Sequence, residues 1–472
     1  MNNIFKMFFE EEIPKYIQIS NHIKKLIDNK KINDGEKLPT IRELSKILEV
    51  NNVTIVNAYK KLKSDGYAFQ KVGSGTYAKR KDLISVFNRE YSKTLKSILT
   101  EDLDKIIDFT GETNTEMYFP IKEFKNVINK VLDRDGANAL IMKEPFGYEE
   151  LRRTINKELW GGKLDLDNII IVSGAQQGID IAVKAIVNIN DNVVVEKPTY
   201  GGAISVFKWR RANIFELEIK EDGVDLEEFE EILKKNKISC FYTMSYFHNP
   251  TGVSYSYEKK LKLLALARKY DFYIIEDDYL SELIYDDGII HEPLKELDKY
   301  ERVIYVKSFS KVFLPGIRLG YMIIPNSFIE SMQNSKINTD FATSSLMQRA
   351  LELYIKEGFW KEHIQYQCKE YKTKYELMKN LIEEKLFDKV TYLDPKGGLY
   401  FYIKLKNKEV KSKELFYKLK KKNVYITPGI IFFRDSKNGD YFFRISFSQV
   451  NKEKIIKGIN LIKEELIWVI LL

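Results

Sequence analysis

The residue in this chain best placed for covalent chemistry is Lys311. It closes the run Ser308-Phe309-Ser310-Lys311, directly after the apolar segment Val303 to Lys307. A primary amine is nucleophilic when it spends time uncharged, which a largely desolvated setting beside other cations such as Arg318 favours. Ser308 and Ser310 add hydroxyl donors and Arg318 a guanidinium fork, a set that can hold a phosphate group. A second apolar run, Phe272 to Glu276, ends in Asp277-Asp278-Tyr279. An acid at that point can pair with a protonated ring nitrogen, and the tyrosine can hydrogen-bond a ring hydroxyl. Amine, phosphate cradle and acid together are what pyridoxal 5′-phosphate (PLP) needs, because a protonated pyridine ring acts as an electron sink.

Other segments add to this set, each ambiguous alone. After Ile169 to Val172 come Ser173-Gly174-Ala175-Gln176-Gln177-Gly178, small residues opening a helix over 179–187. Backbone N–H groups at such a start can cradle an anion, and a plain strand-to-helix turn is the competing reading. Tyr200, in Glu196-Lys197-Pro198-Thr199-Tyr200-Gly201-Gly202, puts an aromatic ring at a loop tip where it could stack on a flat cofactor. Asn249, in His248-Asn249-Pro250-Thr251-Gly252, offers an amide to a phenolate oxygen. Arg444 is the one cation in the apolar stretch Tyr441 to Ser448, where a bare charge is costly. It needs an anion: the α-carboxylate of a substrate or effector, or an internal Asp or Glu.

The elements that position these residues form an alternation. From about residue 106 to 472, apolar runs such as Asn168 to Val172, Val193 to Glu196 and Tyr273 to Glu276 alternate with helical patterns. That predicts a large α/β domain with a mainly parallel sheet, whose ligands sit at the carboxyl ends of the strands. In order, SGAQQG, EKPTYGG, HNPTG, EDDY, SFSKVFLPGIRLGY and FRISFS resemble the fold-type I, class I/II aminotransferase family across nearly all of residues 110 to 465. The resemblance implies PLP as a Schiff base on Lys311 and a smaller C-terminal α/β subdomain. It further implies Asn249 and Tyr279 at the ring oxygen, Asp277 at the ring nitrogen and Tyr200 on the ring face. Ser308, Ser310 and Arg318 would hold the phosphate with Ala175 and Gln176, and Arg444 the carboxylate. Asp277 is preferred to Asp278 by its position relative to Tyr279.

Residues 1–78 read as a separate domain. Ile17, Ile19, Ile23, Leu26 and Ile27 recur at helical spacing, and Thr40 with Glu43 forms a capping-box pattern before a helix to about Leu48. The segment from Asn51 to Leu62 places Val53, Val56, Tyr59 and Leu62 inward and exposes Asn52, Thr54, Asn57 and Lys61. That polar face suits a DNA major groove. Val72-Gly73-Ser74-Gly75 then reads as a tight hairpin between short strands. LPTIRELSKILEVNNVTIVNAYKKLKSDGY followed by VGSGTY resembles the winged helix-turn-helix of GntR-type bacterial regulators. By that resemblance Thr40, Arg42, Asn52, Thr54, Lys71, Gly73 and Ser74 touch double-stranded DNA; the family often carries arginine where this chain has Asn52.

A GntR-type head on an aminotransferase-like body resembles the MocR/GabR family of transcription regulators over essentially the whole chain. The resemblance implies a homodimer, and an amino acid or amine effector sensed at Lys311. Every residue for transamination is present too, so an active aminotransferase is the alternative. Residues 79–105 lack Pro and Gly and read as a tether, in part helical. The length of 472 residues suits several domains. Residues 1–80 hold 15 Lys and Arg against 9 Asp and Glu, most of the chain's +8, so the basic bias lies where a polyanion would dock. Cys240 and Cys368 are far apart and suggest neither a disulfide nor a metal site. Met1 to Glu12 has no apolar leader core, and Leu466 to Leu472 is far shorter than the roughly 20 residues that span a bilayer, so the expectation is a cytoplasmic protein without a membrane partner.

Overall fold

The computed structural model describes residues 2–29, 31–71, 74–79, 83–98, 105–141 and 144–467. The chain divides into two compact units, residues 1–101 and 102–472.

In the first unit Lys15–Asp28 is helical, with Ile19, Ile23, Leu26 and Ile27 buried on one face. Helix Ile41–Leu48 starts on the predicted capping box. The Thr40 hydroxyl accepts from the Glu43 amide at 3.2 Å, and the Glu43 carboxylate accepts from the Thr40 amide at 2.8 Å. Asn51 caps the third helix, Asn52–Ser64, taking the Thr54 amide at 2.8 Å. The inward face of this helix differs from the expected one: it is Ile55, Ala58, Tyr59 and Leu62, while Val53 is 64% exposed and Val56 half-buried. Val53 lies in the first turn, about 200° around the helix from Ile55, and so faces solvent. Strands Ala68–Lys71 and Gly75–Ala78 pair antiparallel, and Lys37 bridges to Tyr77 beside them. Within the expected tether, helix Leu83–Ile98 forms and buries Phe87, Tyr91 and Ile98.

The second unit is built on an eight-stranded sheet. Its order is Ile169–Val172, Gly320–Ile323, Val303–Ser308, Tyr273–Asp278, Ile238–Thr243, Asn192–Lys197, Asn213–Lys220 and Gly223–Val224. The five strands from Val303–Ser308 to Asn213–Lys220 are parallel, and Gly320–Ile323 runs antiparallel to both its neighbours. The strands are continuous apolar runs because both faces are covered. Val303, Ile274 and Phe241 pack with Phe229 and Leu263 of helices Leu226–Lys235 and Tyr257–Tyr270. Val306, of opposite parity to Val303, faces helix Ala175–Ile186. Gly178 permits that approach, since a Cβ there would stand 2.8 Å from Val306 Cγ1.

A four-stranded antiparallel sheet of Val390–Tyr392, Tyr400–Leu405, Phe442–Ser446 and Thr427–Pro428 supports the C-terminal part. Arg444 lies in its interior, opposite Tyr402 on one side and Thr427 on the other. Ile107–Asp108 pairs in parallel with Val424–Tyr425, and Phe109 is stitched to Tyr425 and Ser446 by backbone hydrogen bonds of 2.9 and 2.8 Å. These bonds bring residues 110–115 to the edge of the same sheet. Among the described residues no helix is long and apolar enough to cross a membrane.

Candidate cofactor and effector site

The carboxyl ends of the parallel strands open on one cavity of about 140 Å³. Its walls include all ten residues expected to bind the cofactor: Ala175, Gln176, Tyr200, Asn249, Asp277, Tyr279, Ser308, Ser310, Lys311 and Arg318. Glu112 and Met244 complete the lining, and sequence reading singled out neither.

One end of the cavity is built for an anion. Helix Ala175–Ile186 begins there on Gly174, and no side chain among the described residues caps it. Its first N–H groups are therefore available to a phosphate. Gly174 has φ +91°, and a Cβ on it would lie 3.0 Å from Arg318 Nη2, so glycine lets the guanidinium lie against the helix start. Arg318 Nη2 donates to the Ser173 carbonyl at 3.1 Å, and Ser308 Oγ accepts from the Ser310 amide at 3.3 Å. The Ser310 hydroxyl is buried without a partner among the described residues, as is Gln176 Oε1.

The middle of the cavity suits a protonated heterocycle. Asp277 receives the Tyr242 hydroxyl on Oδ2 at 2.7 Å, while its buried Oδ1 has no partner among the described residues. Burial, reinforced by the nearby Asp278 charge, pushes its carboxyl up to about 6 against the opposing Tyr242 hydrogen bond. Asp278 points to the other face of the strand and is fully committed. It accepts from Tyr305 (2.8 Å), His291 (2.9 Å) and Lys307 (3.0 Å). Burial would raise its carboxyl, but Lys307 and His291 outweigh that and hold it well below the ordinary value. Asn249 Oδ1 accepts from Arg444 Nη1 at 2.7 Å, which leaves the amide N–H₂ as the donor Asn249 can offer a ligand. Tyr279 donates to the Phe247 carbonyl at 2.7 Å and shares a hydrogen bond with the Tyr400 hydroxyl, so toward the cavity it offers an acceptor. A Cβ on Gly202 would collide with the Tyr200 ring at 2.3 Å and with Gln176 Oε1 at 2.4 Å, so glycine leaves room for the ring beside the cavity.

Lys311 and Arg444 share one neighbour. Glu112 Oε2 is 3.2 Å from Lys311 Nζ, and Glu112 Oε1 is 2.6 Å from Arg444 Nη2. The sequence placed a cation such as Arg318 beside Lys311; the charge in direct contact is instead this carboxylate. Arg444 is 1% exposed, with its guanidinium over the rings of Tyr400 (4.5 Å) and Phe432 (5.1 Å). Burial alone would raise the Glu112 carboxyl, but the Arg444 and Lys311 charges bring it down to about 2. Of the two anions weighed for Arg444, the internal acid is the one in place.

In the first unit Thr40, Arg42 and Asn52 are exposed at the starts of the second and third helices, and Ser74 is exposed beside the hairpin. Thr54 is half-buried and gives its hydroxyl to Asn51 Oδ1 at 2.9 Å. Lys71 ends a hairpin strand, and Gly73 lies outside the described residues.

Residues 110–462 match the family model described as aminotransferase class I and II, three quarters of the chain. The chain belongs to this aminotransferase family. Residues 15–78 match the model for bacterial regulatory proteins of the gntR family, so a GntR-type DNA-binding head precedes the aminotransferase-family body. A Bacillus subtilis (strain 168) protein named as an uncharacterized HTH-type transcriptional regulator, YdfD, is 29% identical over 96% of this chain and 97% of its own. Aromatic-amino-acid aminotransferase 1 of Thermococcus litoralis is 30% identical over 79% of this chain and 90% of its own. The crystal structure of Pyrococcus horikoshii kynurenine aminotransferase, in complex with PMP, superposes with a TM-score of 0.76 at 30% identity, over 80% of this chain and 94% of that one. Of these three relations, the one to YdfD spans both halves.

Proposed function

We propose that this chain is a PLP-dependent, DNA-binding transcription regulator of the MocR/GabR type, sensing an amino compound in the aminotransferase-family body. The observation that carries the reading is one chain holding a cavity lined by all ten expected cofactor residues and a winged helix-turn-helix with exposed polar helix starts. The residues present fit PLP: an uncapped helix start with Arg318 and an unpartnered Ser310 hydroxyl for its phosphate, and the unpartnered Asp277 Oδ1 for its ring nitrogen. Bound there, the cofactor supplies an electrophilic carbon that captures amines reversibly and a ring that stabilises negative charge. Lys311 provides the resident amine and Asp277 keeps the ring nitrogen protonated. Asn249 donates to the ring oxygen, Tyr200 covers the ring face, and Ala175, Gln176, Ser308, Ser310 and Arg318 hold the phosphate. Arg444 orients an effector carboxylate.

Thr40, Arg42, Asn52, Thr54, Lys71, Gly73 and Ser74 contact operator DNA in this reading. A homodimer, acting in the cytoplasm, presents two heads to paired half-sites. An effector changes operator affinity only by binding one conformation of the chain better than another, and the coupling is reciprocal.

The test is to footprint the full chain on the DNA upstream of its own gene. Protection by wild type, lost in Arg42→Ala, supports the reading; equal protection at any DNA of the same length overturns it. The second reading, a working aminotransferase, draws on the same ten residues lining one cavity. Sustained keto-acid formation from an amino donor and a second keto acid, without sequence-selective DNA binding, would establish it.

A further inference from the structure

Arg444 is a buried cation suited to a carboxylate, and it already holds one. Glu112 puts one oxygen 2.6 Å from Arg444 Nη2 and the other 3.2 Å from Lys311 Nζ. This single internal carboxylate spans Arg444, which the carboxylate of an amino acid would meet, and Lys311, whose place its amine would take. Its depressed titration, near 2, leaves it ionised at neutral pH. The backbone around it is fastened. Gly111 packs so closely on Gln449 that a Cβ would lie 2.6 Å from its Oε1, and the Asn114 amide donates to the Lys311 carbonyl at 3.0 Å. The Glu112 side chain is 32% exposed, so a rotamer change can release Arg444 while the loop stays in place.

We propose that Glu112 is an internal competitor of the effector, occupying Arg444 beside Lys311 until an incoming carboxylate displaces it. The proposal rests on the sensing role proposed for the cavity and adds its threshold and its selectivity. Whatever fraction of the time Glu112 holds Arg444, effector affinity is reduced accordingly. An amine without a carboxylate cannot take over the guanidinium, and expelling Glu112 would leave a buried charge uncompensated. The site is therefore selective for amino acids over simple amines.

The experiment titrates cofactor-loaded full-length wild type and E112Q with matched pairs: L-alanine and ethylamine, L-phenylalanine and phenethylamine, L-lysine and 1,5-diaminopentane. Binding is read from the cofactor's absorbance rather than from turnover. Glutamine keeps the size and removes the charge. E112Q is expected to tighten at least one amino acid by about tenfold or more relative to its matched amine. An equal change for acid and amine, a loosening, or no response to any amino acid in either protein overturns the proposal. If E112Q fails to fold, E112D, which keeps the charge but shortens its reach, must show the same contrast in smaller degree, and its absence is equally contrary. Operator affinity is measured on the same samples. An E112Q contrast with unresponsive DNA binding defeats the regulator reading alone; responsive DNA binding without the contrast defeats the Glu112 proposal alone.

Discussion

Asp277 and Asp278 are adjacent and buried, yet they differ in every partner. Asp278 pairs with Lys307 and gathers Tyr305 and His291; Asp277 has a buried Oδ1 with no partner among the described residues. Asp278→Ala should destabilise the fold by about 1–3 kcal/mol, because it takes the acceptor from the buried Tyr305 hydroxyl and leaves Lys307 with Glu282 at 2.8 Å as its remaining carboxylate, and this is read as the shift in unfolding midpoint. Asp277→Asn should leave the cofactor-free fold at least as stable while weakening PLP binding by about tenfold or more, the loss of one charge-assisted hydrogen bond. The pH dependence follows from the raised Asp277 carboxyl. A carboxyl raised in the fold contributes stability that is present below its ordinary value near 4 and lost as the pH rises through about 6. A bound pyridinium compensates the ionised form. The gain in melting temperature on adding PLP should therefore be larger at pH 7.5 than at pH 5, and that difference should vanish in Asp277→Asn.

At the level of elements, the cavity depends on how closely helix Ala175–Ile186 lies on the sheet. Gly178→Ala favours the helix by up to about 1 kcal/mol. It also drives a methyl to 2.8 Å from Val306 Cγ1, and overpacking of this kind costs about 1–3 kcal/mol. The net expectation is a less stable protein with weaker PLP affinity, measured by thermal unfolding with and without cofactor. A gain in stability would show that the helix can move away at no cost. The same architecture explains what was legible in the sequence. The ten expected residues that line the cavity lie at or just beyond the ends of apolar runs, or in the turns that follow them, so pattern and chemistry coincide at each. Glu112 has no such signal: it sits in a loop and meets Lys311 across 199 residues of chain. The need of Arg444 for an anion was readable, but not which acid meets it. Val53 was misplaced because an apolar residue in a first turn fits a helical period without lying on the stripe that Ile55, Ala58 and Leu62 define.

For the whole molecule, the basic excess belongs to the DNA-binding head and the covalent chemistry to the body, and neither explains the other alone. A regulator requires the two to be coupled. If an effector changes operator affinity by some factor, operator DNA must change effector affinity by the same factor. The most direct test is the affinity of the full chain for its upstream DNA, measured by fluorescence anisotropy without PLP, with PLP, and with PLP plus each of a panel of amino acids. The account predicts a change of about fivefold or more for PLP or for at least one amino acid, absent in Lys311→Ala. An affinity indifferent to PLP and to every amino acid, or a response that persists unchanged in Lys311→Ala, would contradict it.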